Sequence, residues 1–143
     1  MNEAQSLTLK ILESLKGLDL AHIRDKTKEQ MEWTDTEANH ALEQYREYLA
    51  LAGSHPGMRL VPTKEIDAIW HNHILDTRAY AADMERILSR FLHHSPHYGP
   101  RDNNSAEDFR KTAELYTATF RKSYEKNAVT FISCSCDSCD CAD

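Results

Sequence analysis

The residues best suited to chemistry in this sequence are histidines and cysteines, and both types are unevenly placed. Five of the eight histidines fall within positions 71–97, close to an aspartate at position 67. Imidazole nitrogens and carboxylate oxygens are common ligands of transition metals. The candidate metal ligands in the body of the chain are therefore Asp67, His71, His73, His93, His94 and His97.

Helical spacing leaves the role of these histidines open. Asp67 and His71 are four residues apart, so they share one face of a helix and can act as a chelating pair or as a ligand with its orienting partner. His73 follows the apolar stripe of the same helix. A histidine there can also be a core residue that is hydrogen-bonded to a carboxylate or a carbonyl. The spacing is thus consistent with a metal site and with structural histidines.

The cysteines form a second candidate site, because all four lie in the last ten residues. Their pattern, C-x-C-x-x-C-x-C, keeps thiolates close enough together to bind zinc or copper(I). It resembles the C-x-C clusters of metallothioneins. A flexible terminus that binds metal only opportunistically is the alternative. The ligands of this tail are Cys134, Cys136, Cys139 and Cys141.

The composition limits the remaining classes of function. The chain has 143 residues, of which 41% are hydrophobic and 28% charged, as expected for one soluble globular domain. Its net charge of −6 disfavours nucleic acid as a partner. No apolar run approaches the roughly 18 residues of a membrane helix, and the first residues lack the pattern of a secretory signal. We therefore expect a cytoplasmic protein whose partners are a metal ion and, as an alternative, another protein.

The elements that must position these residues are predicted to be helices, since apolar residues recur at helical spacing. Thr34 and Glu37 form a capping-box signature, which predicts a helix start. Thr63 is predicted to open another helix, and Asp76 can cap a new start after it.

The two later helices have predicted ends near His94 and about Glu125. The first follows from Pro96, which disfavours helical angles at the preceding residue. The predicted fold class is all-α, with a single compact bundle of about five helices and a Cys-rich C-terminal tail. The helical domain covers residues 1–132 and the tail residues 133–143.

Two elements of the sequence are similar to a known family: W-H-x-H-I-L, which begins at Trp70, and F-L-H-H-x-P, which begins at Phe91. They resemble the glycine-rich domain-containing protein family, whose plant and bacterial members share a domain of unknown function. Family members often have glycine at the position of Ser89. The resemblance carries no settled activity, but it implies that one group of residues acts together: Asp67, His71, His73, His93 and His94.

Three functions are consistent with these observations, and we expect the first. It is a metal-binding carrier or sensor, in which the His/Asp cluster holds one zinc or copper ion and the thiolate tail captures a soft metal. The second is a metal-dependent enzyme of unknown substrate, with Asp67 or Tyr80 as general acid or base. The third is a metal-free protein-interaction module whose histidines are structural.

Overall fold

The computed structural model describes residues 2–94 and 103–125, and for residues 103–105 it describes the backbone alone. The chain divides into two compact units, residues 1–100 and 101–143. Every regular element in the described ranges is an α-helix, which confirms the predicted all-α fold class. The six helices are α1 (Glu3–Lys16), α2 (Ala21–Met31), α3 (Asp35–Ser54), α4 (Lys64–Leu75), α5 (Thr77–Leu88) and α6 (Asn103–Phe120).

Side-chain caps fix the starts of α3 and α4 at the predicted residues. Thr34 Oγ1 accepts from the backbone N–H of Glu37 at 3.2 Å, and Glu37 Oε1 accepts from the N–H of Thr34 at 2.9 Å. The predicted capping box is thereby confirmed. Thr63 Oγ1 likewise accepts from the N–H of Ile66 at 3.1 Å. The predicted break between α4 and α5 is also confirmed, with Asp76 as the junction residue, but the Asp76 side chain makes no capping hydrogen bond to α5.

Helix α3 is the central helix of the first unit and packs against α1, α2 and α4. Twelve of its 20 residues are buried, on most sides of the helix, as expected for a helix surrounded by others. It also comes close to α5 at Gly53. A Cβ atom there would lie 2.6 Å from Leu88 Cδ2 and 3.1 Å from Ile11 Cδ1, so glycine permits this close approach.

Helix α5 ends at Leu88, and the predicted end near His94 is wrong. Ser89 adopts the left-handed conformation, with φ 63° and ψ 19°, and its N–H donates to the carbonyl of Glu85 at 3.1 Å. This geometry terminates a helix. The chain then leaves the direction of α5, and His94 reaches Asp67 on α4.

The described part of the second unit consists of α6 and the residues that follow it to position 125. Helix α6 ends at Phe120, before the predicted end at about Glu125, because Arg121 has a positive φ of 61°. Within this unit the ring of Tyr116 packs against those of Phe120 and Tyr124, with centroids 5.0 and 4.9 Å away. No helix in the described ranges is both long enough and apolar enough to span a membrane.

Candidate functional site

His73 lies in the core of the first unit, and both of its ring nitrogens are hydrogen-bonded. Its side chain is fully buried. Nδ1 lies 2.7 Å from the hydroxyl of Tyr45 on α3, and Nε2 lies 2.9 Å from Oδ2 of Asp83 on α5. An ionised carboxylate only accepts, so Nε2–H donates to Asp83 and the Tyr45 hydroxyl donates to Nδ1. This is the geometry of a core histidine that is hydrogen-bonded to a carboxylate.

The surroundings of His73 favour its neutral form. Burial lowers the pKa of His73 below its ordinary value of 6.5, and the hydrogen bond to Asp83 opposes that shift. Burial also raises the pKa of Tyr45 well above its ordinary value, which keeps the hydroxyl protonated as a donor. The edge of the Tyr80 ring meets the imidazole, with centroids 4.9 Å apart. His73 therefore holds α3, α4 and α5 together as a neutral hydrogen-bonding group.

A second hydrogen-bonded chain ties the segment after α5 to the core. The indole N–H of Trp70 donates to the hydroxyl of Tyr80 at 2.9 Å, and that hydroxyl donates to the carbonyl of Leu92 at 2.6 Å. Burial raises the pKa of Tyr80 to about 12, so the hydroxyl remains a donor at neutral pH. The ring of His94 packs on Trp70 with centroids 4.3 Å apart. These contacts fix the backbone on either side of His93.

Asp67 and His94 form a direct contact between α4 and this segment. Nε2 of His94 is hydrogen-bonded to Oδ1 of Asp67. The side chain of Asp67 is 50% exposed and that of His94 is 19% exposed. Because the carboxylate accepts a hydrogen bond from Nε2–H, the lone pair of a neutral imidazole lies on Nδ1. Asp67 is thus paired with a histidine distant in sequence, and His71, its neighbour on the helix, is exposed to solvent.

An open cleft of about 810 Å³ lies beside the Asp67–His94 pair, within the first unit. Its walls are the end of α3, the loop of residues 55–63, the start of α4 and residues 90–94. The loop is held in place by the hydroxyl of Tyr48, which donates to the carbonyl of Leu60 at 3.1 Å. The volume is within the range of roughly 300–1,000 Å³ that is typical of small-molecule sites.

The structure brings some of the predicted ligands together and separates others. Asp67, His93 and His94 all line the cleft. His73 is in the core, and the exposed His71 is not among the residues that line the cleft. Across residues 2–94 and 103–125, no three His, Cys, Asp or Glu side chains form a group that could hold a metal ion. The remaining predicted ligands lie outside the described residues: His97, Cys134, Cys136, Cys139 and Cys141.

The partners of His73 were not identified from the sequence. Asp83 follows Tyr80 by three positions, so it lies on the same side of α5 as a buried aromatic residue. A carboxylate on such a face is a signal for a buried polar partner. Tyr45 offers no comparable signal, because a tyrosine within an apolar stripe reads as an ordinary core residue.

In the described residues the fold is all-helical, with His73 buried in a structural position and His55, His93 and His94 lining an open cleft. The chain belongs to the family described as UCP032817-like, which matches residues 17–126. It is also similar to Glycine-rich domain-containing protein 1 of Arabidopsis thaliana, with 34% identity over 68 residues. That match confirms the resemblance to glycine-rich domain-containing proteins. It covers 46% of this chain and 8% of the relative, so the chain spans only a small part of that protein's length. No solved structure matches.

Proposed function

We propose that this protein binds a transition metal ion, zinc or copper, and acts as a metal carrier or sensor. The observation that best supports the proposal is the hydrogen bond between Nε2 of His94 and Oδ1 of Asp67 beside the cleft. Metal-binding histidines commonly donate one ring N–H to a carboxylate, which orients the ring and makes the other nitrogen a better ligand. In this arrangement Nδ1 of His94 is the ligating atom, and Asp67 is the orienting group.

Further ligands are needed, because zinc and copper are held by several donors. His93 is adjacent to His94 and lines the same cleft. His97 follows His94 by three positions in the sequence. We therefore propose His93 and His97 as the other ligands of the body site. His73 has a structural role in this proposal, since both of its nitrogens are already hydrogen-bonded.

The cysteine tail is proposed as a second, independent site for a soft metal. Four thiolates within eight residues favour copper(I) or zinc. The tail also carries three aspartates, which attract a cation: Asp137, Asp140 and Asp143. A cytoplasmic location belongs to the proposal, because a reducing compartment keeps the thiols available. The net charge of −6 disfavours nucleic acid as a partner.

The proposal is tested by elemental analysis of the untagged full-length protein, purified without chelator. The comparison is a four-serine variant, in which Cys134, Cys136, Cys139 and Cys141 are each replaced by serine. We expect about one equivalent of metal in the four-serine variant, as for a single body site, and more in the wild type. Metal in the wild type alone would rule out the body site and assign metal binding to the cysteine tail. Metal in neither protein would contradict the proposed function.

A further inference from the structure

Basic side chains outnumber carboxylates among the residues that line the cleft, although the chain as a whole is acidic. Three basic side chains line it, from Arg59, Lys64 and Arg90. Among its described lining residues the one carboxylate is Asp67, which is hydrogen-bonded to His94. The net charge of the chain is −6. A cleft with the opposite sign to the rest of the protein concentrates and orients anions.

The same cleft offers apolar surface to a ligand. Met58, Leu60, Trp70 and Leu92 line it together with the basic residues. Met58 is 37% exposed, so its side chain is accessible to a ligand. Small-molecule sites combine such apolar walls with a few polar groups that fix the orientation of the ligand.

One of the basic groups is held in place before any ligand arrives. A terminal nitrogen of Arg90 donates to the carbonyl of Ala52 at 2.7 Å, and both residues line the cleft. A guanidinium retains further N–H donors when one is engaged in this way. A preorganised donor loses less conformational freedom on binding than a mobile one.

We propose that this cleft binds a small organic anion, one that carries a carboxylate, sulfonate or phosphate on an aromatic or aliphatic body. The anionic group lies against Lys64, Arg59 and Arg90, and the apolar body lies against Leu92 and Met58. This inference goes beyond metal binding and does not depend on it, because none of these five side chains is a ligand in the proposed metal site.

The test uses the fluorescent probe 1-anilinonaphthalene-8-sulfonate, with the full-length protein in the presence of EDTA. We expect saturable binding to the native protein. Lys64→Glu reverses one charge of the cleft, and an acidic residue is compatible with the first turn of α4. We expect this variant to bind the probe about tenfold more weakly.

Two controls separate the charge of the cleft from other effects. Lys10→Glu makes the same change of charge at an exposed position on α1 outside the cleft, and we expect it to alter binding by less than about twofold. N-phenyl-1-naphthylamine has the same apolar body without the sulfonate, and its binding is expected to be unaffected by Lys64→Glu. The proposal is overturned if the sulfonate probe fails to bind, if Lys10→Glu weakens it equally, or if Lys64→Glu weakens both probes alike.

Discussion

At the scale of single residues, His73 is a buried histidine whose two ring nitrogens both have hydrogen-bond partners. A buried polar group is costly unless each of its donors and acceptors is satisfied. Tyr45 and Asp83 supply the two partners from different helices. The carboxylate of Asp83 accepts from Nε2–H, which places the proton on that nitrogen, and burial lowers the pKa of His73 and so favours the neutral ring. His73 therefore contributes to stability through its partners rather than through its charge.

Tyr45→Phe tests this account of His73. The substitution removes the donor to Nδ1 and leaves a buried lone pair without a partner, which we expect to lower the free energy of unfolding by about 1–3 kcal/mol. Tyr48→Phe is the matched control, because its hydroxyl donates to a carbonyl in a part-buried position. Urea denaturation of both variants compares the two losses. A loss no larger for Tyr45→Phe than for Tyr48→Phe would contradict the account.

The lowered pKa of His73 predicts how stability depends on pH. The unfolded chain binds a proton near the ordinary value of 6.5, whereas the folded protein binds it only at lower pH. The unfolded state therefore takes up more protons in this window, and stability falls as the pH decreases below about 6.5. Above that value the contribution of His73 to stability is fully present.

This pH dependence can be isolated by comparing unfolding free energies between pH 8 and pH 5 in three proteins. We expect His73→Gln to reduce the loss of stability on acidification relative to the wild type. His40→Gln, at an exposed histidine on α3, should leave the loss unchanged. Parallel pH profiles for the wild type and His73→Gln would be incompatible with a lowered pKa at this position.

At the scale of helices, the starts were predictable and the ends were less so. A cap such as Thr34 with Glu37 is a local pattern, and its hydrogen bonds involve residues three positions apart. The end of α5 depends on a left-handed residue that is serine and not glycine. Because serine carries no strong sequence signal for that conformation, the sequence predicts that the helix continues to the next clear signal, Pro96.

Ser89→Gly should stabilise the protein. Glycine adopts the left-handed conformation without the steric cost that a side chain imposes. We expect the free energy of unfolding to rise by about 0.5–1 kcal/mol, as measured by thermal or urea denaturation. Ser14→Gly, at an exposed helical position in α1, should have the opposite sign. A decrease in stability for Ser89→Gly would show that φ at this position is not positive in solution.

At the scale of the whole molecule, the candidate site depends on contacts that are distant in sequence. Asp67 and His94 are 27 positions apart and meet because α5 ends early. The helical pattern predicted that Asp67 and His71 share a face, which is a local relation. Helical spacing alone does not predict which distant histidine contacts the carboxylate of Asp67. The sequence thus predicts which residue types form the site. Which of them pair with each other depends on the three-dimensional path of the chain.

The charge of the cleft is also a property of the whole molecule. Arg59, Lys64 and Arg90 come from a loop, the start of α4 and the segment after α5. In the sequence they are ordinary surface residues of an acidic chain, and their common location follows only from the packing of these elements. The cleft therefore combines two features that the composition does not show: a histidine hydrogen-bonded to an aspartate, and a group of three basic side chains.

The most direct test of the proposed metal site is a zinc titration of the four-serine variant by isothermal calorimetry, with and without His94→Ala. We predict that His94→Ala lowers the affinity for zinc by about 100-fold, because it removes the ligating nitrogen that Asp67 orients. His71→Ala in the same background is the matched control, and its affinity should stay within about twofold of the parent. Equal affinities for the parent and His94→Ala, or a loss confined to His71→Ala, would contradict a metal site built on the Asp67–His94 pair.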